Sequence, residues 1–117
     1  MSVRYEISED LLYTRDHEWV RHEKKYAYVG ITDYAQKKLR EIIHIELPHT
    51  NVKVKAKEVL GTVESVKSTA DVYSPVPGKI VEVNLKLLDH PEILNESPYT
   101  DGWIAKVELS DLQSWTS

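Results

Sequence analysis

Few residues of this chain have types and spacings that could do chemistry. It contains no cysteine, which removes thiolate nucleophiles, thiolate metal sites and disulfides. It carries no phosphate-cradling glycine loop, no nucleophile elbow and no paired-histidine zinc helix. His17 and His22 are five residues apart, as are His44 and His49. Neither a strand nor a helix puts both members of such a pair on one face, so a histidine metal site is not expected. These histidines read as exposed or capping residues. Glu18, Glu46, Glu64, Asp71 and Glu82 could pair for acid–base work, but nothing in their spacing matches any two. What is left is Lys67, within Val63-Glu64-Ser65-Val66-Lys67-Ser68-Thr69-Ala70-Asp71-Val72-Tyr73. A lysine amine is an adaptable nucleophile and an acylation site. An acyl cofactor in amide linkage there would remove the charge and add a swinging arm. The protein would then be a carrier, supplying position while the cofactor supplies chemistry. The plain alternative is a solvated hairpin lysine.

The elements around Lys67 decide how it is presented. Gly61 to Val66 alternates apolar and polar residues, Asp71-Val72-Tyr73 resumes the pattern, and Ser74-Pro75-Val76-Pro77-Gly78 ends it. This predicts a β-hairpin with Lys67 at its exposed tip. Further strands are expected at Trp19–Glu23, Lys25–Ile31, Ile42–Leu47, Val52–Val54, Lys79–Asn84 and Trp103–Leu109, with an edge pairing at Leu11–Tyr13. Thr32 or Asp33 caps a short helix through Leu39. Asp89–Leu94 suggests a second short helix with Pro91 in its first turn, and Ser110 with Gln113 resembles a capping box. Residues 1–10 read as a weakly ordered lead-in. The segments Lys57–Val63 and Pro77–Val83 each hold a turn followed by a strand. This weak repeat would set Lys67 near a pseudo-twofold axis. Many short strands and little helix point to a β-sandwich or partly open barrel.

Composition sets the outer bounds. At 117 residues, one domain spanning 1–117 is expected. Hydrophobic residues make up 41% and charged residues 29%, as in ordinary globular chains. The net charge is −4 and the basic residues form no aromatic-interleaved patch, which disfavours nucleic acid as a partner. Seven Tyr and three Trp, with no Phe, read as core and surface-anchoring residues. No apolar run approaches a membrane span, and Met1–Glu6 shows neither a signal nor a transit pattern. The expected location is a prokaryotic cytoplasm, or a mitochondrial matrix if the chain is a trimmed mature form.

Seven blocks carry a family resemblance. They are His17-Glu18-Trp19-Val20, Val29 to Gln36, Ile45-Glu46-Leu47-Pro48, Glu64-Ser65-Val66-Lys67, Tyr73 to Gly78, Val81-Glu82-Val83-Asn84, and Asn95 to Tyr99 with Asp101-Gly102-Trp103. In order and spacing, over roughly residues 11 to 109, the chain resembles the H-protein of the glycine cleavage system. The resemblance implies a mainly β, barrel-sandwich hybrid fold of the lipoyl/biotinyl type with a few short helices. It also implies lipoic acid in amide linkage to Lys67, and a non-catalytic shuttle carrying an aminomethyl group between enzymes. The implied partners are a pyridoxal-phosphate glycine decarboxylase, a tetrahydrofolate-dependent aminomethyltransferase, a dihydrolipoyl dehydrogenase and a lipoate-attaching enzyme. Glu18 and Asp71 match acidic positions near the arm and would help hold it, unless they are ordinary solvated carboxylates.

The chain also departs from the pattern. The family usually has glycine at the positions of Arg40 and Lys57 and near Asn51. Asn tolerates positive φ, whereas Arg and Lys fit it poorly, so the turns at Arg40 and Lys57 are expected either to be altered or never to need positive φ. The C-terminal helical segment of the family is reduced here to Ser110–Ser117. An alternative reading is a lipoate carrier of a sulfur-oxidising, heterodisulfide-reductase-like system. A biotin carrier fits less well, because that hairpin flanks its lysine with methionines and this one has Val66 and Ser68.

Overall fold

The structure is a computed structural model and describes residues 11–110. The lead-in over residues 1–10 and the capping partner Gln113 lie outside those residues. Nine strands are described: β1 (Leu12–Tyr13), β2 (Glu18–Glu23), β3 (Tyr26–Ile31), β4 (Ile42–Glu46), β5 (Lys53–Val54), β6 (Val59–Ser65), β7 (Thr69–Tyr73), β8 (Gly78–Val83) and β9 (Ala105–Leu109). They form two antiparallel sheets, ordered β1-β2-β3-β9-β8-β5 and β4-β6-β7. β6 and β8, the strands of the weak internal repeat, are in different sheets, and each lies between two antiparallel neighbours.

The sheets face each other across one core. The larger sheet contributes Val20, Val29, Ile31, Ile80 and Val107; the smaller contributes Ile42, Ile45, Leu60, Val63 and Val72. Strand alternation explains the choice. In β2 the period sends Val20 to the core and Trp19 to the opposite face. Trp19 is nevertheless fully buried, its indole Nε1 donating to the Pro98 carbonyl at 2.8 Å. Its cross-strand partner is Gly30, where a Cβ would lie 2.5 Å from the ring.

Helix α1 (Asp33–Leu39) is capped by the Thr32 hydroxyl, which accepts from the Ala35 N–H at 3.1 Å. Asn95 then ties α1 to β4. Its side-chain amide donates to Gln36 Oε1 at 2.9 Å and to the Arg40 carbonyl at 2.7 Å, and its oxygen accepts from the Ile42 N–H at 3.0 Å. The single helix expected over Asp89–Leu94 is replaced by two one-turn helices, α2 (Lys86–Asp89) and α3 (Ile93–Glu96). Pro91 sits between them. It has no N–H to continue α2, while its carbonyl accepts from Leu94 N at 3.0 Å and so opens the turn into α3.

Neither expectation holds at Arg40 and Lys57, where positive φ is kept by non-glycine residues. Arg40 (φ 68°), Asn51 (φ 68°) and Lys57 (φ 74°) all take positive φ, and none of the described glycines does. Hydrogen bonds hold two of them in place, from Asn51 N to Ile80 O and from Lys57 N to Ser74 O, each at 2.6 Å. Arg40 is strained, because its ψ of −145° takes it towards a region populated essentially by glycine. Arg40→Gly should therefore stabilise the protein by about 1 kcal/mol, strain relief exceeding the added freedom of the unfolded chain. A thermal melt checks it, and an unchanged or lower melting temperature would contradict the strain.

Candidate functional site

The hairpin β6–β7 closes through Ser65, Val66, Lys67 and Ser68, with Glu64 paired to Thr69 at its last rung. Ser65 ties the tip together. Its N–H donates to the Ser68 carbonyl at 2.8 Å, and its hydroxyl donates to the same oxygen at 3.0 Å. That hydroxyl also accepts from the backbone N–H groups of Lys67 at 3.1 Å and Ser68 at 3.0 Å. The Val66 N–H donates to the Glu41 carbonyl at 3.0 Å, anchoring the tip to the approach of β4. Ser65 is buried, whereas Val66, Lys67 and Ser68 are exposed. Lys67 thus stands at the tip as expected. Val66 lies just beyond β6 and falls on the exposed side of the alternation, in register with Thr62 and Glu64, so this apolar residue is 61% exposed.

Beside Lys67 opens a cavity of about 280 Å³ between α1, β7 and the start of β2. Ile31, Ala35, Leu39, Val63 and Val72 give it apolar walls, while Asp16, Glu18, Lys38 and Asp71 supply charge. The two carboxylates proposed to hold an arm both line this cavity but differ in environment. Asp71 is exposed and accepts from the Thr62 hydroxyl at 3.2 Å. Glu18 is not a solvated carboxylate, being only 2% exposed. Its Oε2 accepts from the Tyr73 N–H at 3.1 Å, and its Oε1 accepts from the Thr14 hydroxyl. That same hydroxyl accepts from Glu18 N at 3.1 Å.

Burial pushes the Glu18 carboxyl above the ordinary glutamate range, and nearby Asp16 adds to this. The hydrogen bonds from Thr14 and Tyr73 and the proximity of His17 pull the other way but are outweighed. The folded state thus holds this proton more tightly than the unfolded one. The contribution to stability is present at low pH and is lost as pH rises from the ordinary glutamate value through the raised one. The melting temperature of the native protein relative to Glu18→Gln should accordingly fall as pH is raised above about 4. A constant difference across that range would contradict a raised Glu18. A cation entering the cavity would favour the charged carboxylate and reverse the shift.

The other singled-out residues do not assemble. His17 is exposed, its ring 4.3 Å from that of Tyr34, and it lines the cavity, whereas His22 lies on exposed strand surface opposite Ala27. His44 and Glu64 are cross-strand partners on the smaller sheet, and Glu82 pairs across to Lys106 on the larger one. Among the described residues, no three His, Cys, Asp or Glu are grouped to hold a metal, and no helix is long and apolar enough to cross a membrane. Sequence reasoning missed Thr14 and Ser65, which orient the carboxylate and shape the tip. The Ser65-x-x-Ser68 spacing was a usable signal for the second, as serine turns bond their own backbone two or three residues on.

Two facing, unclosed β-sheets displaying one lysine on a knotted hairpin define a carrier of the barrel-sandwich hybrid class. The comparisons agree on its kind. Residues 11–117 match the family model described as glycine cleavage H-protein. A probable glycine cleavage system H protein of Aeropyrum pernix is 52% identical over 109 residues, 93% of this chain and 76% of that one. The glycine cleavage system H protein of Rubrobacter xylanophilus is 51% identical over 106 residues, 91% of this chain and 84% of that one. The crystal structure of a glycine cleavage system H protein from Mycobacterium marinum superposes with a TM-score of 0.86 at 35% identity, covering 89% of this chain and 87% of the other. The chain belongs to the glycine cleavage H-protein family.

Proposed function

We propose that this protein is the lipoate-bearing shuttle of a glycine cleavage system, with lipoic acid in amide linkage to Lys67. The observation that carries the reading is the pairing of an exposed tip lysine with an apolar cavity whose one buried charged group is Glu18 among its acids. When bound, the lipoyl group supplies a dithiolane that accepts an aminomethyl cargo. The chain's own residues supply the rest. Ser65 fixes the point of attachment, the apolar walls accommodate an aliphatic stem, and Glu18 with Asp71 faces a cationic head group. Burial behind the stem would shield the head from water, and the charged carboxylates would hold it electrostatically. No residue here makes or breaks the cargo's bonds; the partners do. These are a pyridoxal-phosphate glycine decarboxylase, a tetrahydrofolate-dependent aminomethyltransferase, a dihydrolipoyl dehydrogenase and a lipoate-attaching enzyme.

The sulfur-oxidising alternative gains no support. Its cargo would bring no cation to meet the acids Asp16, Glu18 and Asp71 that line the cavity with Lys38, and the relatives described above are glycine cleavage proteins by name. The reading is tested by reconstitution. Lipoylated protein combined with a glycine decarboxylase should support exchange of labelled carbon dioxide into the carboxyl group of glycine. Absence of exchange from a fully lipoylated sample would overturn it.

A further inference from the structure

We infer that Thr14 is a positioning residue for the loaded arm, its hydroxyl aiming the buried Glu18 carboxylate at the cationic cargo. This rests on the shuttle reading, in which Glu18 faces the head group. Thr14 is joined to Glu18 three times. Its N–H donates to the Glu18 carbonyl at 2.9 Å, and its hydroxyl accepts from the Glu18 N–H at 3.1 Å. The same hydroxyl donates to Glu18 Oε1. The Thr14 carbonyl accepts from the His17 N–H at 3.2 Å, closing a tight turn over Thr14–His17. His17 takes φ 66° there, a conformation that non-glycine residues rarely adopt. Its carbonyl accepts from the Thr32 N–H at 2.9 Å. These backbone bonds place residue 18 at the start of β2 without the hydroxyl. The hydroxyl alone reaches the carboxylate.

A carboxylate 2% exposed is neither steered nor kept charged by water. Two protein donors take that role, the Thr14 hydroxyl on Oε1 and the Tyr73 N–H on Oε2. Donors on both oxygens fix the plane of the group and favour its charged form. Asp16, His17, Lys38, Lys67 and Asp71 also line the cavity, but all five are exposed. Solvent therefore screens them more than it screens Glu18, and acylation removes the Lys67 charge. Without the Thr14 hydroxyl, one of the bonds that pull the Glu18 carboxyl down is gone. The group would then keep its proton to higher pH and meet the cargo uncharged.

Two measurements test this. In the unlipoylated protein, carbon NMR of the side-chain carboxyls should show Glu18 titrating at higher pH in Thr14→Val than in the native protein. Thr14→Ser, which keeps the hydroxyl, should restore the native curve; His17 titrates in all three, so differences between curves isolate Glu18. The second uses lipoylated protein loaded from glycine by glycine decarboxylase and then freed of that enzyme, with cargo loss followed by intact mass. In that loss water supplies the oxygen of formaldehyde, the C–S and C–N bonds break, thiol and ammonium form, and nothing is oxidised or reduced. Thr14→Val should lose its cargo about five- to tenfold faster near neutral pH, and the pH at which retention sets in should rise with the Glu18 titration. An unmoved titration or native retention in Thr14→Val would overturn the inference. So would an equal loss of retention at every pH, or Thr14→Ser behaving as Thr14→Val does. Native protein that loses its cargo as fast as free lipoamide does would instead sink the holding role of the cavity, a separate outcome.

Discussion

Lys67→Arg is expected to abolish the lipoyl adduct completely while leaving the fold intact. A guanidinium keeps the charge and length of the side chain but stays protonated, so it cannot serve as the acyl-accepting amine. Only backbone atoms of residue 67 enter the tip's hydrogen bonds, through its N–H to the Ser65 hydroxyl, and the side chain is exposed. Intact mass after expression in a lipoylating host should show the adduct on the native protein alone, and the two thermal melts should coincide. An adduct persisting in Lys67→Arg would place the attachment elsewhere. A large loss of melting temperature would contradict the tip geometry.

The largest expected loss of stability is at Trp19, where replacement by Ala should cost about 3–5 kcal/mol. The ring is fully buried on the outer side of β2, and its truncation would leave a cavity and strip the Pro98 carbonyl of its donor. Gly30→Ala attacks the same contact from the other strand, because the added methyl would sit 2.5–2.6 Å from three ring atoms. Overpacking of that kind costs about 1–3 kcal/mol or more. The informative experiment combines the two changes. With the indole gone, the methyl at residue 30 meets space in place of the ring, so the double variant should be more stable than the sum of the single losses predicts. Additive losses in urea unfolding would show that the two residues do not share one packing unit.

How much of this was legible in sequence depends on how local the cause is. The hairpin and its lysine tip were legible because alternation and the stop at Ser74–Gly78 are local signals, and the Thr32 cap is a local hydrogen bond. The burial of Glu18 was not. It follows from the Tyr73 N–H, 55 residues away in the chain, and a glutamate before a tryptophan carries no mark of that. The bulge at Ile43 was equally hidden, since Ile42-Ile43-His44-Ile45 reads as an ordinary strand until β6 sets the register. The single helix expected at Asp89–Leu94 does not form because Pro91, a residue suited to a helix start, here divides two one-turn helices. At Lys57 propensity pointed away from positive φ and a tertiary hydrogen bond to Ser74 overrode it, whereas at Arg40 the cap is closed by α1's own local bond to the Gln36 carbonyl.

The Ser65 knot has a further consequence, for motion. With three backbone groups fastened to one hydroxyl and a fourth bond to Glu41, the tip is a fixed pivot, and freedom begins only at the side chain of Lys67. The space searched by the end of any tether grows roughly as the cube of its reach. A swaying anchor would therefore dilute that end far more than its own small excursion suggests. Holding the pivot still keeps the search short on both sides of the trip, towards the protein's own cavity and towards a docked enzyme. Ser65→Ala would leave the lysine in place yet loosen the point from which it swings.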